Sequence, residues 1–299
     1  MHWPLSILIY HRVLAHADPL FPDQIDARRF DSQMRTLGAN FTVLPLAQAV
    51  QALRERTLPR RAACITFDDG YADNAQVALP ILLRHRLPAT FFIASGFLRG
   101  ATMWNDAVIA RVRGASGGIL NLTRFGLGRH DISSMAARRA TIDTLLAQLK
   151  YLPAAQRDEC VKAIAPKPAR SLMMIPDQVL ALHRSGMDIG AHTVSHPILA
   201  TLGSAAARRE IAQGRHALED ITGAPVKTFA YPNGKPGVDF APEHVEMVRA
   251  LGFDAAVTTA WGSARAGADP FRLPRFTPWD RSSALFSLRL AANLLRRPA

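Results

Sequence analysis

Ile65-Thr66-Phe67-Asp68-Asp69-Gly70-Tyr71 is the stretch that most constrains the fold of this chain. It continues an apolar run from Ala63 and passes directly into two carboxylates and a glycine. An unbroken apolar run is typical of a strand buried on both faces, as in parallel sheets covered by helices. Because neighbouring residues at a strand end point in different directions, one carboxylate can bind a metal ion while the other faces a substrate. Asp-Gly is also common in plain turns, so the stretch alone leaves the function open.

The rest of the chain repeats this change from apolar strand to helix. One helical pattern begins near Ser204 and ends before Gly223, and another spans residues 242–251. Such alternation predicts an α/β fold built on a parallel sheet, either closed or open. The candidate strands are Ser6–Tyr10, Phe41–Leu44, Ala63–Phe67, Thr90–Ala94, Met187–Ala191, Thr228–Ala230, Ala255–Thr258 and Arg272–Leu273.

Residues 99–170 interrupt this rhythm. They contain a glycine-rich patch around residues 114–118 and a helical pattern near Ser134–Tyr151. We interpret the segment as a helical insertion. No stretch has the composition of a flexible interdomain linker, so we predict a single domain over residues 1–299 that carries this insertion.

The composition limits the kinds of site and partner. With 299 residues, of which 48% are hydrophobic and 20% charged, the chain can bury a sizeable core. Cys64 and Cys160 are too few for a disulfide framework or a four-cysteine zinc site, so any metal must be held mainly by His, Asp or Glu. The net charge of +12 is carried by dispersed arginines without interleaved aromatics, and we expect no nucleic-acid partner.

The two ends of the sequence bear on location. No basic residue precedes the apolar run that ends at Tyr10, and Pro4 interrupts it, so we interpret residues 5–13 as a buried first strand and consider secretion less favoured. We expect a cytoplasmic or membrane-peripheral protein. The final apolar segment, residues 285–297, contains three arginines; it either packs on the fold or contacts anionic lipid.

A second polar cluster, His192-Thr193-Val194-Ser195-His196-Pro197, also follows an apolar strand. Two histidines four residues apart lie on one face if the segment is helical, and Ser195 before Pro197 resembles a helix start. Together with Asp68-Asp69, the cluster supplies one aspartate and two histidines. This set can hold a divalent metal and leave positions open for water and substrate.

These motifs carry a resemblance to a known family. Residues 66–71 followed by 192–197 resemble the first two motifs of the polysaccharide deacetylases, the NodB-homology domain of carbohydrate esterase family four. Residues 229–234 resemble the third motif and residues 269–275 a closing segment, while residues 9–13 resemble the N-terminal Tyr-His motif of the exopolysaccharide-deacetylase branch. The resemblance implies a distorted (β/α) barrel of about seven strands and metal-assisted hydrolysis of an N-acetyl group on an amino sugar.

By motif position, the resemblance also implies roles for individual residues. Asp69, His192 and His196 would hold a divalent metal, with Zn²⁺ the expected ion. Asp68 would be the general base that takes a proton from the attacking water.

The third motif and the aromatic residues supply the expected substrate contacts. The backbone N–H of Tyr231 would bind the carbonyl oxygen, with Pro232 shaping its loop. Trp104 could stack on a sugar, although packing in the core or at its rim is the favoured interpretation of such a residue.

Two departures from the family pattern require other residues. The third motif has no arginine to pair with the catalytic aspartate; Arg275 is our candidate, with Arg272 the alternative, and a solvent-exposed Arg275 remains open. No late Leu-x-His motif supplies a general acid. We assign that role to His11, because the first and last strands of a closed barrel are neighbours; a histidine that only hydrogen-bonds locally is the alternative.

The sequence therefore predicts a metal-dependent de-N-acetylase acting on an amino-sugar polysaccharide or glycolipid. An O-acetyl esterase on the same scaffold and a non-catalytic glycan-binding barrel are the alternatives. An acetylated glycan is the expected partner, and the sequence leaves the oligomeric state open.

Overall fold

The computed structural model describes residues 2–165 and 171–296, and its elements alternate along the chain. The strands are β1 Leu5–Tyr10, β2 Thr42–Val43, β3 Ala62–Phe67, β4 Thr90–Ile93, β5 Ile119–Asn121, β6 Arg129–Asp131, β7 Asp188–Ala191, β8 Thr228–Ala230, β9 Ala255–Trp261 and β10 Leu273–Arg275. The helices are α1 Ala27–Asn40, α2 Leu46–Glu55, α3 Leu79–His85, α4 Trp104–Arg113, α5 Met135–Lys150, α6 Ala154–Ile164, α7 Pro176–Arg184, α8 Ser204–Thr222, α9 Pro242–Ala250 and α10 Ser283–Leu295.

Two compact units make up the chain. Unit 1 comprises Met1–His16, Asp23–Arg99 and Met173–Ala299, and unit 2 comprises Ala17–Pro22 and Gly100–Leu172. Unit 2 thus has nearly the bounds of the insertion proposed from the sequence, with a short N-terminal segment added. The single-domain interpretation stays a prediction.

Unit 1 is built on a parallel sheet with the strand order β1-β3-β4-β7-β8-β9-β10. The first and last strands also meet, because the Phe276 N–H donates to the Ile7 carbonyl at 2.7 Å and the Ile9 N–H to the Phe276 carbonyl at 3.0 Å. These bonds make the sheet a distorted (β/α) barrel of seven strands, and the predicted fold class is confirmed. The carboxyl ends of the strands, where barrel active sites form, lie at one end.

Burial explains why these segments form strands and helices. Every residue of β1 and β3 is buried, so each strand is covered on both faces and reads as a continuous apolar run. The covering helices present apolar stripes, such as Phe30, Met34 and Leu37 of α1. Burying a side chain of this size contributes about 1.5–3 kcal/mol, so the stripe holds the helix on the barrel.

The strand boundaries differ from those predicted at three places. β1 ends at Tyr10 rather than continuing to Val13. The Phe41–Leu44 run yields the two-residue β2, which pairs with β3 outside the closed path. The last strand lies at Leu273–Arg275, shifted towards the carboxyl end, and its register with β9 shifts between Leu273 and Arg275.

Unit 2 has an apolar core of its own. Val108 and Val112 of α4 lie in one buried cluster with Leu145 and Leu149 of α5 and with Leu20 of the N-terminal segment. Ser134 caps α5 by accepting from the Ala137 N–H, which agrees with the helix predicted there. The antiparallel hairpin of β5 and β6 was not predicted, because two three-residue strands carry too short a pattern to detect.

Candidate active site

The turn after β3 presents the two carboxylates. Asp68 and Asp69 are both buried, and the Asp68 N–H still donates to the Tyr10 carbonyl at 2.9 Å. The chain then turns sharply, with φ of 74° at Asp69 and 90° at Gly70. A Cβ at Gly70 would lie 2.9 Å from Cγ2 of Ile93, so both the backbone angle and the space require glycine.

Asp68 is paired with Arg275, which comes from the end of β10. The Arg275 Nη1 and Nη2 donate to Oδ1 and Oδ2 of Asp68, each at 2.7 Å, in a two-pronged arrangement. The Arg275 Nε donates to the Thr258 carbonyl at 2.8 Å, which fixes the guanidinium. The side chains of Arg275 and Asp68 are 0% and 3% exposed, so this is a buried ion pair and not a solvent-facing arginine.

This pairing sets the protonation state of Asp68. Burial on its own would raise the pKa of the Asp68 carboxyl, but the charge and hydrogen bonds of Arg275 outweigh burial and hold that pKa below its ordinary value. Asp68 is therefore a carboxylate at neutral pH. Each carboxylate oxygen has a further lone pair beyond the one facing Arg275, so Asp68 can still accept a proton.

The segment from His192 to His196 is an irregular loop and not the helix considered from the sequence. Thr193 and His196 have φ of 65° and 55°, in the left-handed region that residues with a side chain seldom adopt. These two turns bring the imidazole ring centres to 4.7 Å from each other. Ser195 is likewise no helix cap.

Helix α8 holds this loop in place. Glu210 accepts hydrogen bonds from the N–H groups of Val194 and Ser195, each at 2.9 Å, and from the Ser195 hydroxyl at 2.8 Å. Gly214, one turn further along, lets the helix approach closely, because a Cβ there would lie 2.6 Å from the Thr193 carbonyl carbon. Sequence reasoning missed Glu210. The available signal was Gly214, since a glycine inside a helix costs about 1 kcal/mol and often marks a close approach.

Asp69 faces the two histidines. Its Oδ1 lies 3.4 Å from Nε2 of His192 and 3.3 Å from Nε2 of His196. The Nδ1 of His192 is 2.7 Å from the Ala230 carbonyl oxygen, so Nδ1 donates to that carbonyl and Nε2, on the Asp69 side, is the nitrogen left to bind a metal. One ligand atom from each of the three residues lies within 4.8 Å of the others.

The three side chains fit a divalent cation. Asp69 Oδ1 is buried and has no hydrogen-bond partner in the described part of the chain, which is costly unless a cation is bound there. Burial opposes the charged form of both Asp69 and His192, yet their mutual attraction lowers the pKa of Asp69 and raises that of His192. Burial lowers the pKa of His196 to about 4, so its imidazole is neutral and able to bind a metal at physiological pH.

His11 lies just past β1, at the same end of the barrel. Its side chain is exposed, and its carbonyl accepts from the buried Asn74 amide at 2.8 Å. Its neighbour Arg12 forms an ion pair with Asp73 at 2.8 Å, so the backbone of His11 and the side chain of Arg12 are both tied to the segment after β3. The charge of His11 contributes to lowering the pKa of Asp68 and of Asp69, which places the imidazole within electrostatic reach of both carboxylates.

The structure corrects the role expected for Tyr231. Its backbone N–H donates to the Val257 carbonyl at 3.3 Å as part of the sheet, and its side chain is buried with the hydroxyl donating to the Phe271 carbonyl at 3.0 Å. This N–H is therefore engaged and does not face a substrate. Pro232 is buried and has no N–H, so the next main-chain donor in this loop is that of Asn233, at φ of 58°.

Trp104 begins α4 in unit 2. Its ring is half-buried, and the Arg157 guanidinium lies 5.3 Å from the ring centre. Contact with a sugar stays a prediction for this residue.

Comparison with known proteins agrees with this geometry. A family model described as polysaccharide deacetylase matches residues 55–256. YxkH of Bacillus subtilis strain 168, to which polysaccharide deacetylase activity is provisionally ascribed, is 31% identical over 91 residues, which are 30% of this chain and 31% of that protein. The match thus spans about a third of the length of the curated relative.

Two solved structures share the fold over nearly the whole chain. The deacetylase PplD of Streptococcus pyogenes, in complex with acetate, has a TM-score of 0.67 at 18% identity and covers 97% of this chain and 99% of its own. IcaB of Ammonifex degensii has a TM-score of 0.64 at 20% identity and covers 98% and 97%. At these identities the likeness concerns the fold. The structure places the paired aspartates and the two histidines at the carboxyl end of the barrel. Because the family model covers more than half of the sequence, this chain belongs to the polysaccharide deacetylase family.

Proposed function

We propose that this protein is a divalent-metal-dependent hydrolase that removes N-acetyl groups from an amino-sugar polysaccharide or glycolipid. The observation that supports this most directly is the pair of neighbouring buried carboxylates. Asp68 is paired with an arginine, whereas Asp69 faces two imidazoles and has an oxygen without a hydrogen bond to any described residue. A module that only binds glycans requires neither a positioned base nor a complete ligand set.

Asp69, His192 and His196 would hold the ion, and Zn²⁺ suits one carboxylate with two imidazoles. When bound, such an ion supplies Lewis-acid polarisation of the acyl carbonyl and increases the acidity of water. Asp68, kept ionised by Arg275, accepts the proton of the water that attacks the acetyl carbon. Arg275 does not touch the reacting atoms; it orients Asp68 through both carboxylate oxygens.

Collapse of the tetrahedral adduct breaks the C–N bond and requires a proton on the departing nitrogen. His11 is the proposed donor, because it is exposed at the carboxyl end of β1 within electrostatic reach of Asp68. A histidine has an ordinary pKa near neutrality, which suits a group that must be protonated in one step and neutral after it. The products are acetate and the free amino sugar.

Acetate release tests the function. The metal-loaded protein is incubated with N-acetylated amino-sugar oligomers and with an O-acetylated glycan, and acetate is measured alongside free amine. We expect acetate and amine in equal amounts from the N-acetylated substrates. Release from the O-acetylated glycan alone would identify an esterase, and no release from either, with metal bound, would identify a binding barrel.

His11→Ala tests the general acid separately. The variant should retain metal and fold and lose roughly 10²–10⁴-fold in kcat on an amide substrate. On an activated acetate ester, whose leaving group departs without a proton, the loss should be much smaller. The exposed His16 provides the matched control as His16→Ala. Equal losses of the His11→Ala variant on amide and ester would show a structural role instead.

A further inference from the structure

The last helix, α10, has an outer face without polar side chains. Its six exposed residues follow the spacing of one helical face, and all are alanine or leucine: Ala284, Leu285, Leu288, Ala291, Ala292 and Leu295. At about 100° per residue they form a stripe roughly 120° wide. The exposed positions of α8, in contrast, include Arg208, Arg209 and Asp220, as expected of a helix that faces water.

The leucines of this stripe are unusually accessible. Leu285, Leu288 and Leu295 are 47%, 67% and 83% exposed; Leu288 lies about one turn after Leu285, and Leu295 two turns after Leu288. The opposite face of α10 is anchored, since Phe286 and Leu290 are fully buried in the core of unit 1. Exposing apolar side chains along a whole helix is unfavourable in water, and a contiguous apolar patch marks a surface that is covered by a partner.

Tryptophan and arginine border the stripe on one side. Trp261 and Trp279 are partly exposed and contact each other, with ring centres 5.7 Å apart. The Arg289 guanidinium lies 4.6 Å from the Trp279 ring, and that of Arg296 lies 4.4 Å from the Trp261 ring. Helix α10 contains no acidic residue, and Asp280, which pairs with Arg289 at 2.7 Å, is buried.

From this arrangement we propose that the α10 face lies in the interface of a lipid bilayer that carries anionic headgroups. Leucine on the apolar side, with tryptophan and arginine at the border of a helix that has no acidic residue of its own, is the composition of a helix that lies in the plane of a membrane. Tryptophan places its ring among the headgroups, and each arginine near an anionic surface adds binding. The chain's net charge of +12 attracts it to the same surface.

This association is peripheral. No helix in the described ranges is long and apolar enough to cross a membrane. The inference does not depend on the proposed chemistry, because α10 contributes no residue to the candidate active site. A failure of one leaves the other intact.

Flotation with lipid vesicles tests the proposal. The full chain should float with vesicles of phosphatidylcholine mixed with phosphatidylglycerol, and much less with phosphatidylcholine alone. Leu288→Ser should lower the partition coefficient roughly tenfold, because a leucine leaves the apolar layer. Leu83 of α3, 47% exposed, gives the matched control, and Leu83→Ser should bind as the wild type does. Arg296→Gln should lower binding to the anionic vesicles about fivefold and leave binding to neutral vesicles unchanged.

A melting curve checks that Leu288→Ser is folded, and Leu295→Ser at the helix end replaces it if it is not. Wild-type protein that stays in solution with both vesicle types would overturn the proposal. Equal binding by Leu288→Ser and Leu83→Ser would overturn it too. So would a wild-type dimer that Leu288→Ser converts to monomer while neither protein binds vesicles, since the stripe would then join two copies of the chain.

Discussion

Asp68 and Asp69 are neighbours in the sequence, are both buried, and have opposite surroundings. Asp68 has both carboxylate oxygens paired with one guanidinium at 2.7 Å. Asp69 has an Oδ1 with no hydrogen bond and two imidazole nitrogens at 3.3 and 3.4 Å. The left-handed turn at Asp69 separates the directions of the two side chains. Of these two adjacent residues, Asp68 therefore has a complete ion pair, and Asp69 has a carboxylate oxygen without a hydrogen-bond partner among the described residues.

The difference shows how a protein can use two identical groups for two tasks. A buried carboxylate with all its partners keeps its charge and orientation and is suited to accepting a proton repeatedly. A buried carboxylate without its partner is costly, and this cost is removed when a cation binds. The Asp68 side therefore suits the proposed role of base, and the Asp69 side suits the proposed role of metal ligand.

The largest effect on metal content and activity is expected from removing the two histidines that face Asp69. The double variant His192→Ala with His196→Ala should purify without bound metal and lose deacetylation, because one carboxylate cannot hold the ion alone. Metal content is read by elemental analysis. The exposed pair His16 and His216, changed to alanine together, is the matched control and should keep both metal and activity. Wild-type metal content in the His192 and His196 double variant would refute the ligand assignment.

The two aspartates can then be compared directly. Asp68→Asn should keep the metal and lose roughly 10²–10⁴-fold in kcat, since it removes a positioned base. Asp69→Asn should lose metal affinity as well as turnover. Metal titration and steady-state kinetics on the two variants separate these outcomes. If Asp68→Asn loses the metal and Asp69→Asn retains it, the roles of the two residues are reversed.

Much of this site could be predicted from the sequence, for a physical reason. The barrel strands are buried on both faces and so appear as unbroken apolar runs, and the chemistry follows directly after them. Asp68 and His192 could be placed at strand ends because each comes immediately after such a run. Arg275 could be proposed because it closes the last strand, whose end lies with the others.

Other features depend on contacts that no sequence pattern carries. The His192–His196 loop is shaped by left-handed turns that need Glu210, which on an amphipathic helix looks like any solvent-facing acid. The engaged N–H of Tyr231 follows from the register of β8 with β9, which pairs Ala230 with Val257, and the sequence motif does not encode that register. The three-residue strands β5 and β6 are too short to show a period.

Breaking the complete pair should have two consequences of intermediate size. Arg275→Met leaves Asp68 buried without its cation and should lower the free energy of unfolding by about 3–5 kcal/mol. Burial, the largest single effect on this carboxyl, is then opposed only by the weaker attraction of His192 and His11, so the pKa of Asp68 should rise from below its ordinary value to above it. Because the base works only when deprotonated, the acidic limb of kcat/KM should move to higher pH.

The pH dependence of the free energy of unfolding of the metal-free protein should therefore reverse between the wild type and Arg275→Met. In the wild type the folded pKa of Asp68 is depressed, so its contribution is present above the unfolded pKa, about 4, and is lost as pH falls through the folded pKa. In Arg275→Met the folded pKa is raised, so stability should fall as pH rises above about 4. Arg289→Met is the matched control, because it breaks the ion pair of Arg289 with Asp280, which lies outside the candidate active site. It should lower stability without moving the acidic limb; an unmoved limb in Arg275→Met would mean that Arg275 only supports the fold.

The smallest effect is expected from a change that weakens the support of the two histidines without altering a proposed metal ligand. Glu210→Ala removes the three hydrogen bonds that hold the loop between His192 and His196, whose left-handed residues cost about 1 kcal/mol or more each. The loop should relax, and metal affinity should fall roughly tenfold, as is typical when a group that orients ligands is lost. Asp220→Ala on the exposed side of the same helix is the control. A zinc titration should show weaker binding for Glu210→Ala alone, with the acidic limb set by Asp68 and Arg275 unchanged once the metal is saturating. A lower melting temperature with unchanged zinc affinity would mean that Glu210 stabilises α8 and does not position the histidines.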